Sequence, residues 1–224
     1  MNIILGGTSG LGKEITGALR ERDERVLVLG RSYNESKDGE GLAVDLANEQ
    51  SVEASVVRLR QLMGAESIKN FWWVAGEGRN VNFSDQVHPN RMAVANFAGA
   101  LPLVQFAWQE LLKQDEGTLE VVSSTSGVWA REDEAVYAGT KHAQVGFARS
   151  LGLEAVRLDT QAKVALFLPG GMRTEFWDKA RPEARPDVYD TFNDPAKVAQ
   201  YMIDVVDQQS EPFSETMIKR GELV

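Results

Sequence analysis

The chain has 224 residues, with 33 acidic against 24 basic side chains, so its net charge is −9, which argues against nucleic acid or an anionic membrane as its main partner. It has no cysteine and only His88 and His142, which excludes a disulfide framework, a thiolate nucleophile and a usual zinc site, so no metal is expected. A hydrophobic content of 43% suits one enzyme-sized core. The sequence has no basic leader followed by an apolar stretch and no run of membrane-spanning length, so a cytoplasmic location is expected.

The first element is a strand over 2–5, which runs straight into Gly6-Gly7-Thr8-Ser9-Gly10-Leu11-Gly12 and a helix over 11–21. A strand, a glycine turn and a helix start together suit phosphate, because backbone N–H groups face the turn. Gly7 to Lys13 also satisfies seven places of the loop used by nucleotide hydrolases, but Glu14 stands where a hydroxyl should meet Mg²⁺. A second strand over 25–29 leads to Gly30-Arg31-Ser32. A third over 42–44 leads to Asp45-Leu46, where the aspartate either caps the turn or meets a ligand.

A helix is expected over 49–63 and a strand over 69–75, ending in Ala75-Gly76. The next helix, 91–113, follows His88-Pro89 with Asn90 as its cap. It holds Asn96 and is kinked by Pro102, which leaves the Ala98 carbonyl without its partner. A strand over 118–122 precedes Ser124, and a helix over 135–159 carries Tyr137 and Lys141. Four residues apart, these two share a helix face, so an ammonium there can favour the ionised phenol and make it an acid/base near neutral pH. Ser123 and Ser126 compete with Ser124 for a role beside them.

A strand over 162–169 runs into Pro169-Gly170, and 171–194 mixes aromatic residues and charges. Asp194-Pro195 opens a helix over 195–207, and a last strand covers 215–219. The alternation predicts one α/β domain, 1–224, in which a doubly wound parallel sheet of about seven strands carries helices on both faces. In such a sheet a ligand lies across the carboxyl ends of the strands, where the glycine turn, Arg31, Asp45, Gly76, Ser124 and Gly170 all fall.

Gly6, Gly10 and Gly12, then Asp45-Leu46, Ala75-Gly76, Asn96, Ser124, Tyr137 with Lys141, and Pro169-Gly170-Gly171-Met172-Arg173-Thr174 occur in the order seen in the short-chain dehydrogenases/reductases, which nearly the whole chain resembles. The resemblance implies a Rossmann-type fold and hydride transfer between nicotinamide and a carbonyl or alcohol. Tyr137 would be the acid/base, Ser124 the partner of the substrate oxygen, Lys141 the group that lowers the tyrosine pKa and holds the ribose, and Asn96 the anchor of a water in a proton relay. Ser124 is preferred because it stands three before Gly127 and thirteen before Tyr137.

The expected cofactor contacts are Gly6, Thr8, Ser9, Gly10, Leu11, Gly12, Arg31, Ser32, Asp45, Leu46, Ala75, Gly76, Tyr137, Lys141, Pro169, Gly170, Met172 and Thr174. No carboxylate awaits a ribose diol after the second strand, whereas Arg31 and Ser32 offer a cation and a hydroxyl to a 2′-phosphate, so NADP(H) is expected over NAD(H). Residues 73–76, Trp-Val-Ala-Gly, depart from the family's Asn-Asn-Ala-Gly. Relatives also imply a substrate lid at 171–194 and a homodimer or homotetramer built through the helices at 91–113 and 135–159. A redox sensor that binds the dinucleotide without catalysis and a nucleotide hydrolase are the competing classes.

Overall fold

Strands form where β-branched and aliphatic residues run without interruption, and most of them are apolar on both faces because helices cover both sides. The architecture is that of a computed structural model, which describes residues 1–180 and 189–224. In chain order the strands and helices are β1 (Asn2–Leu5), α1 (Gly10–Glu21), β2 (Val26–Gly30), α2 (Glu35–Asp38), β3 (Gly41–Ala43), α3 (Glu49–Met63), β4 (Asn70–Trp73), α4 (Pro89–Asn96), α5 (Leu101–Leu111), β5 (Thr118–Val122), α6 (Ala135–Leu158), β6 (Lys163–Pro169), α7 (Phe176–Ala180), α8 (Pro195–Asp207) and β7 (Phe213–Ile218). The seven strands form one parallel sheet in the order β3-β2-β1-β4-β5-β6-β7, so the single α/β domain expected from the sequence is present.

Alternate residues feed two cores. Leu5, Leu29, Trp73 and Val121 face α3, α5 and α6, while Ile4, Val28, Trp72 and Phe167 face α1 and α8. Each fully buried side chain of this size stabilises by about 1.5–3 kcal/mol, which fixes the strand ends that carry the site. The order of strand addition reverses between β1 and β4, opening a crevice at their carboxyl ends.

The single helix expected over 91–113 is two helices. α4 ends at Asn96, a tight turn covers Ala98–Ala100, and α5 begins at Leu101 with Pro102 in its first turn. The break is tertiary in origin. A Cβ on Gly99 would lie 1.7 Å from the Leu46 carbonyl, so the chain presses backbone to backbone there. Asn90 is not the cap, because α4 already begins at Pro89, whose fixed φ suits a first turn. The expected Asp194 cap is present, accepting from Ala196 N at 2.9 Å.

On the helices through which relatives imply a dimer or tetramer, Val104, Phe106, Trp108 and Val145 are buried in the monomer core. Glu120, in the middle of β5, is fully buried. Its Oε1 lies 2.9 Å from the Asn70 amide and its Oε2 has no hydrogen-bond partner. Burial pushes this carboxyl well above the usual carboxylate range, against weaker help from backbone N–H groups and Lys69.

Candidate active site

The glycine turn is a cradle that side chains would fill. Gly6 has φ +100°, and a Cβ there would lie 2.6 Å from Ala75 N; a Cβ on Gly12 would lie 2.2 Å from the Gly6 carbonyl. Only bare backbone lets β1 and α1 meet this closely. No side chain caps the N-terminus of α1 at Ser9, which leaves its first N–H groups turned toward the crevice. Lys13 is exposed and does not line that crevice, which removes the lysine a nucleotide hydrolase would aim at phosphate.

The crevice is a cavity of about 790 Å³, and every catalytic and cofactor-binding position named from the sequence lines it. Along its β2 end, Thr8 and Ser32 hydroxyls lie 3.1 Å apart, and the exposed Arg31 Nη1 reaches Glu77 Oε2 at 3.4 Å. Asp45 performs the capping role, with Oδ1 accepting from Ala47 N at 3.0 Å, and also pairs through Oδ2 with Arg91 at 3.2 Å. Burial would raise its carboxyl, but the Ala47 N–H and the Arg91 guanidinium outweigh it and hold Asp45 below the ordinary range.

The polar centre is built from β5, α4 and α6. Ser124 accepts from Ser126 N at 3.1 Å, and it acts on the Tyr137 phenol by favouring its ionised form. The competing serines are engaged elsewhere: Ser123 Oγ donates to Lys141 O at 2.9 Å and Ser126 Oγ to Glu134 at 2.9 Å. Burial pushes the Tyr137 phenol above its usual value, Ser124 opposes this, and the Glu134 carboxylate adds to it.

Lys141 sits behind that phenol, with its hydrogen bonds made elsewhere. Its Nζ lies 5.7 Å from the Tyr137 ring centroid and donates to Val122 O at 3.1 Å and Gln144 Oε1 at 2.9 Å. Burial takes the ammonium down to about 7.

Asn96 is fully buried and braces the turn that lacks the family's two asparagines. Its Oδ1 accepts from Glu77 N at 2.8 Å, and its Nδ2 donates to Glu77 O at 2.7 Å and Thr140 Oγ1 at 3.1 Å. Trp73, standing where one of those asparagines would be, packs into the core against Phe97 and Phe147 at 6.0 Å each. Sequence reading missed Gln144 and the bond from Ser126 to Glu134. The signal of Gln144 and Glu134 was helical spacing, three residues from Lys141 and Tyr137 respectively, on the face that turns inward.

The expected lid spans 171–194, of which 181–188 lie outside the described residues. In the described part, α7 sets Phe176 5.6 Å from Tyr137, and Phe176 packs so tightly on Gly78 that a Cβ there would lie 2.4 Å from its ring. Trp177 continues the chain of rings to the buried Phe192 at 5.1 Å. The aromatic residues therefore divide between two roles: Phe176 walls the cavity and Phe192 packs the core. Among the described residues no cluster of three metal-ligating side chains occurs, and no helix is long and apolar enough to cross a membrane.

The short chain dehydrogenase family model matches residues 1–185. Among curated proteins, the chain is 26% identical over 214 residues to carbonyl reductase family member 4 of Danio rerio, covering 90% of this chain and 88% of that one. It is 22% identical over 183 residues to 3-oxoacyl-[acyl-carrier-protein] reductase of Bos taurus, covering 77% and 75%. Among solved structures, an alcohol dehydrogenase of Thermococcus sibiricus complexed with 5-hydroxy-NADP superposes with a TM-score of 0.83 at 17% identity, covering 100% of this chain and 97% of that one. Levodione reductase superposes with a TM-score of 0.80 at 18% identity, covering 98% and 95%. Both likenesses are of fold. With the glycine cradle and the family model in agreement, the chain belongs to the short-chain dehydrogenases/reductases and is an NAD(P)-dependent oxidoreductase.

Proposed function

We propose that the protein reduces a small or medium carbonyl compound with NADPH, and that Tyr137 delivers the proton to the carbonyl oxygen. The observation that carries this reading is that Ser124, Tyr137 and the buried Lys141 line one wall of the same cavity. When bound, the nicotinamide cofactor supplies the hydride. Gly6 to Gly12 and the first turn of α1 would hold its pyrophosphate, and Lys141 its ribose.

Each remaining task falls to a side chain. Ser124 orients the substrate oxygen toward the phenol. The phenol is protonated at neutral pH, so it can give its proton to carbonyl oxygen; burial raises it and makes a cation beside it the more necessary. As the proton leaves, negative charge develops on the phenol oxygen, and a protonated Lys141 stabilises it. Phe176 limits water at this point by walling the cavity beside Tyr137.

The NADP preference rests on Arg31. Its contact to Glu77 is long and exposed, so it holds the guanidinium weakly and leaves it able to turn to a 2′-phosphate beside Ser32. The test is steady-state turnover of a panel of aldehydes and ketones with NADPH, for the wild type and Tyr137→Phe. Turnover that the variant loses by about 10²–10⁴-fold while still binding NADPH supports the reading; full activity in Tyr137→Phe overturns it.

A further inference from the structure

Gln144 lies on α6 three residues after Lys141, and it is fully buried. A buried carboxamide is costly unless both ends are bonded. Here its Oε1 accepts from Lys141 Nζ at 2.9 Å, and its Nε2 donates to the main-chain carbonyl of Asn96 at 3.3 Å. That carbonyl is free to accept because α4 stops at Asn96: the Ala100 N–H, which would have closed the next helical turn on it, bonds Phe97 O at 3.1 Å instead.

The broken helix and the amide therefore form one device that joins α4 to the lysine. Among the other groups packed on Lys141, one main-chain acceptor also holds it. β5 presents the Val122 carbonyl, the turn after β4 presents Gly76, and the titratable neighbour is Tyr137, with Glu134 beyond it.

We infer that Gln144 is a positioning residue for the reaction: an amide strut that holds the Lys141 ammonium at the back of the cavity by bridging it to the Asn96 carbonyl. The inference rests on the role given to Lys141 above. A carboxamide neither gains nor loses a proton near neutrality, so the strut orients the lysine without passing its proton on to Asn96.

The experiment uses the whole protein with Gln144→Leu and Gln144→Glu, following the ¹⁵N signal of Lys141 Nζ across pH, assigned by its loss in Lys141→Met. Leucine removes an acceptor that favours the charged amine, so the midpoint falls; glutamate adds a carboxylate, so it rises. In parallel, kcat for carbonyl reduction falls about ten- to a hundredfold in Gln144→Leu, while KM stays within about twofold, as expected for losing a bond to a charged group.

Unchanged midpoints in both variants overturn the strut. Because the titration needs no substrate, that result stands even where the wild type reduces none of the carbonyls offered. Shifted midpoints with kcat intact overturn the positioning role. If Gln144→Leu does not fold, the midpoint and kcat of Gln144→Glu decide in the same way.

Discussion

Replacing Lys141 by methionine removes the ammonium at the centre of the site, and it is expected to stabilise the fold while abolishing activity. Burial takes this amine from 10.5 down to about 7, and at about 1.36 kcal/mol per pH unit the gap costs the folded state roughly 5 kcal/mol below about pH 7, where the lysine is charged in both states. Methionine lifts that cost but leaves Val122 O and Gln144 Oε1 without their donor, each a loss of about 1–2 kcal/mol. The net gain is about 1–3 kcal/mol below pH 7.

The sign with pH follows from linkage. Between about 7 and 10.5 the unfolded wild type binds a proton that the fold has released, so wild-type stability rises with pH relative to the variant by about 1.4 kcal/mol per unit. The two proteins therefore cross, the variant being the more stable at pH 6 and the wild type near pH 10. Urea unfolding at four pH values measures this directly. Parallel curves, or a variant less stable at pH 6, would refute the reasoning.

Two further outcomes follow from groups on either side of this site. Glu120 is raised by burial, so its cost is absent below the unfolded carboxylate range and grows as pH rises toward its folded value; Glu120→Gln should unfold like the wild type near pH 4 and be the more stable at pH 8, and equal denaturant midpoints at pH 8 would count against it. Arg31→Ala should raise KM for NADPH by about tenfold or more and leave NADH nearly unaffected, with an equal effect on both cofactors contradicting a 2′-phosphate contact.

What could be read from the sequence was what short-range spacing dictates. Gly6 and Gly12 are needed because backbone meets backbone there, and Tyr137 and Lys141 share a face because α6 is a helix. These fixed the fold class and the lining of the cavity. Local pattern could not reveal contacts made across the fold. The helix over 91–113 breaks because Gly99 meets the Leu46 carbonyl, which no window around residue 99 contains.

Gln144 looked like an ordinary helix residue until the end of α4 brought the Asn96 carbonyl to it. The partners of Lys141 were hidden for a similar reason: the spacing brings lysine near tyrosine, but only the fold shows that Val122 and Gln144 take its hydrogen bonds and that desolvation dominates the phenol.

The most direct test of the central claim is to supply NADPH deuterated at the transferred position with a panel of aldehydes and ketones, and to weigh the alcohols formed. The expected result is an alcohol heavier by one deuterium at the former carbonyl carbon, formed by the wild type and strongly reduced in Tyr137→Phe with NADPH binding retained. Alcohol without deuterium, or equal labelling by Tyr137→Phe at the wild-type rate, would contradict hydride transfer assisted by Tyr137.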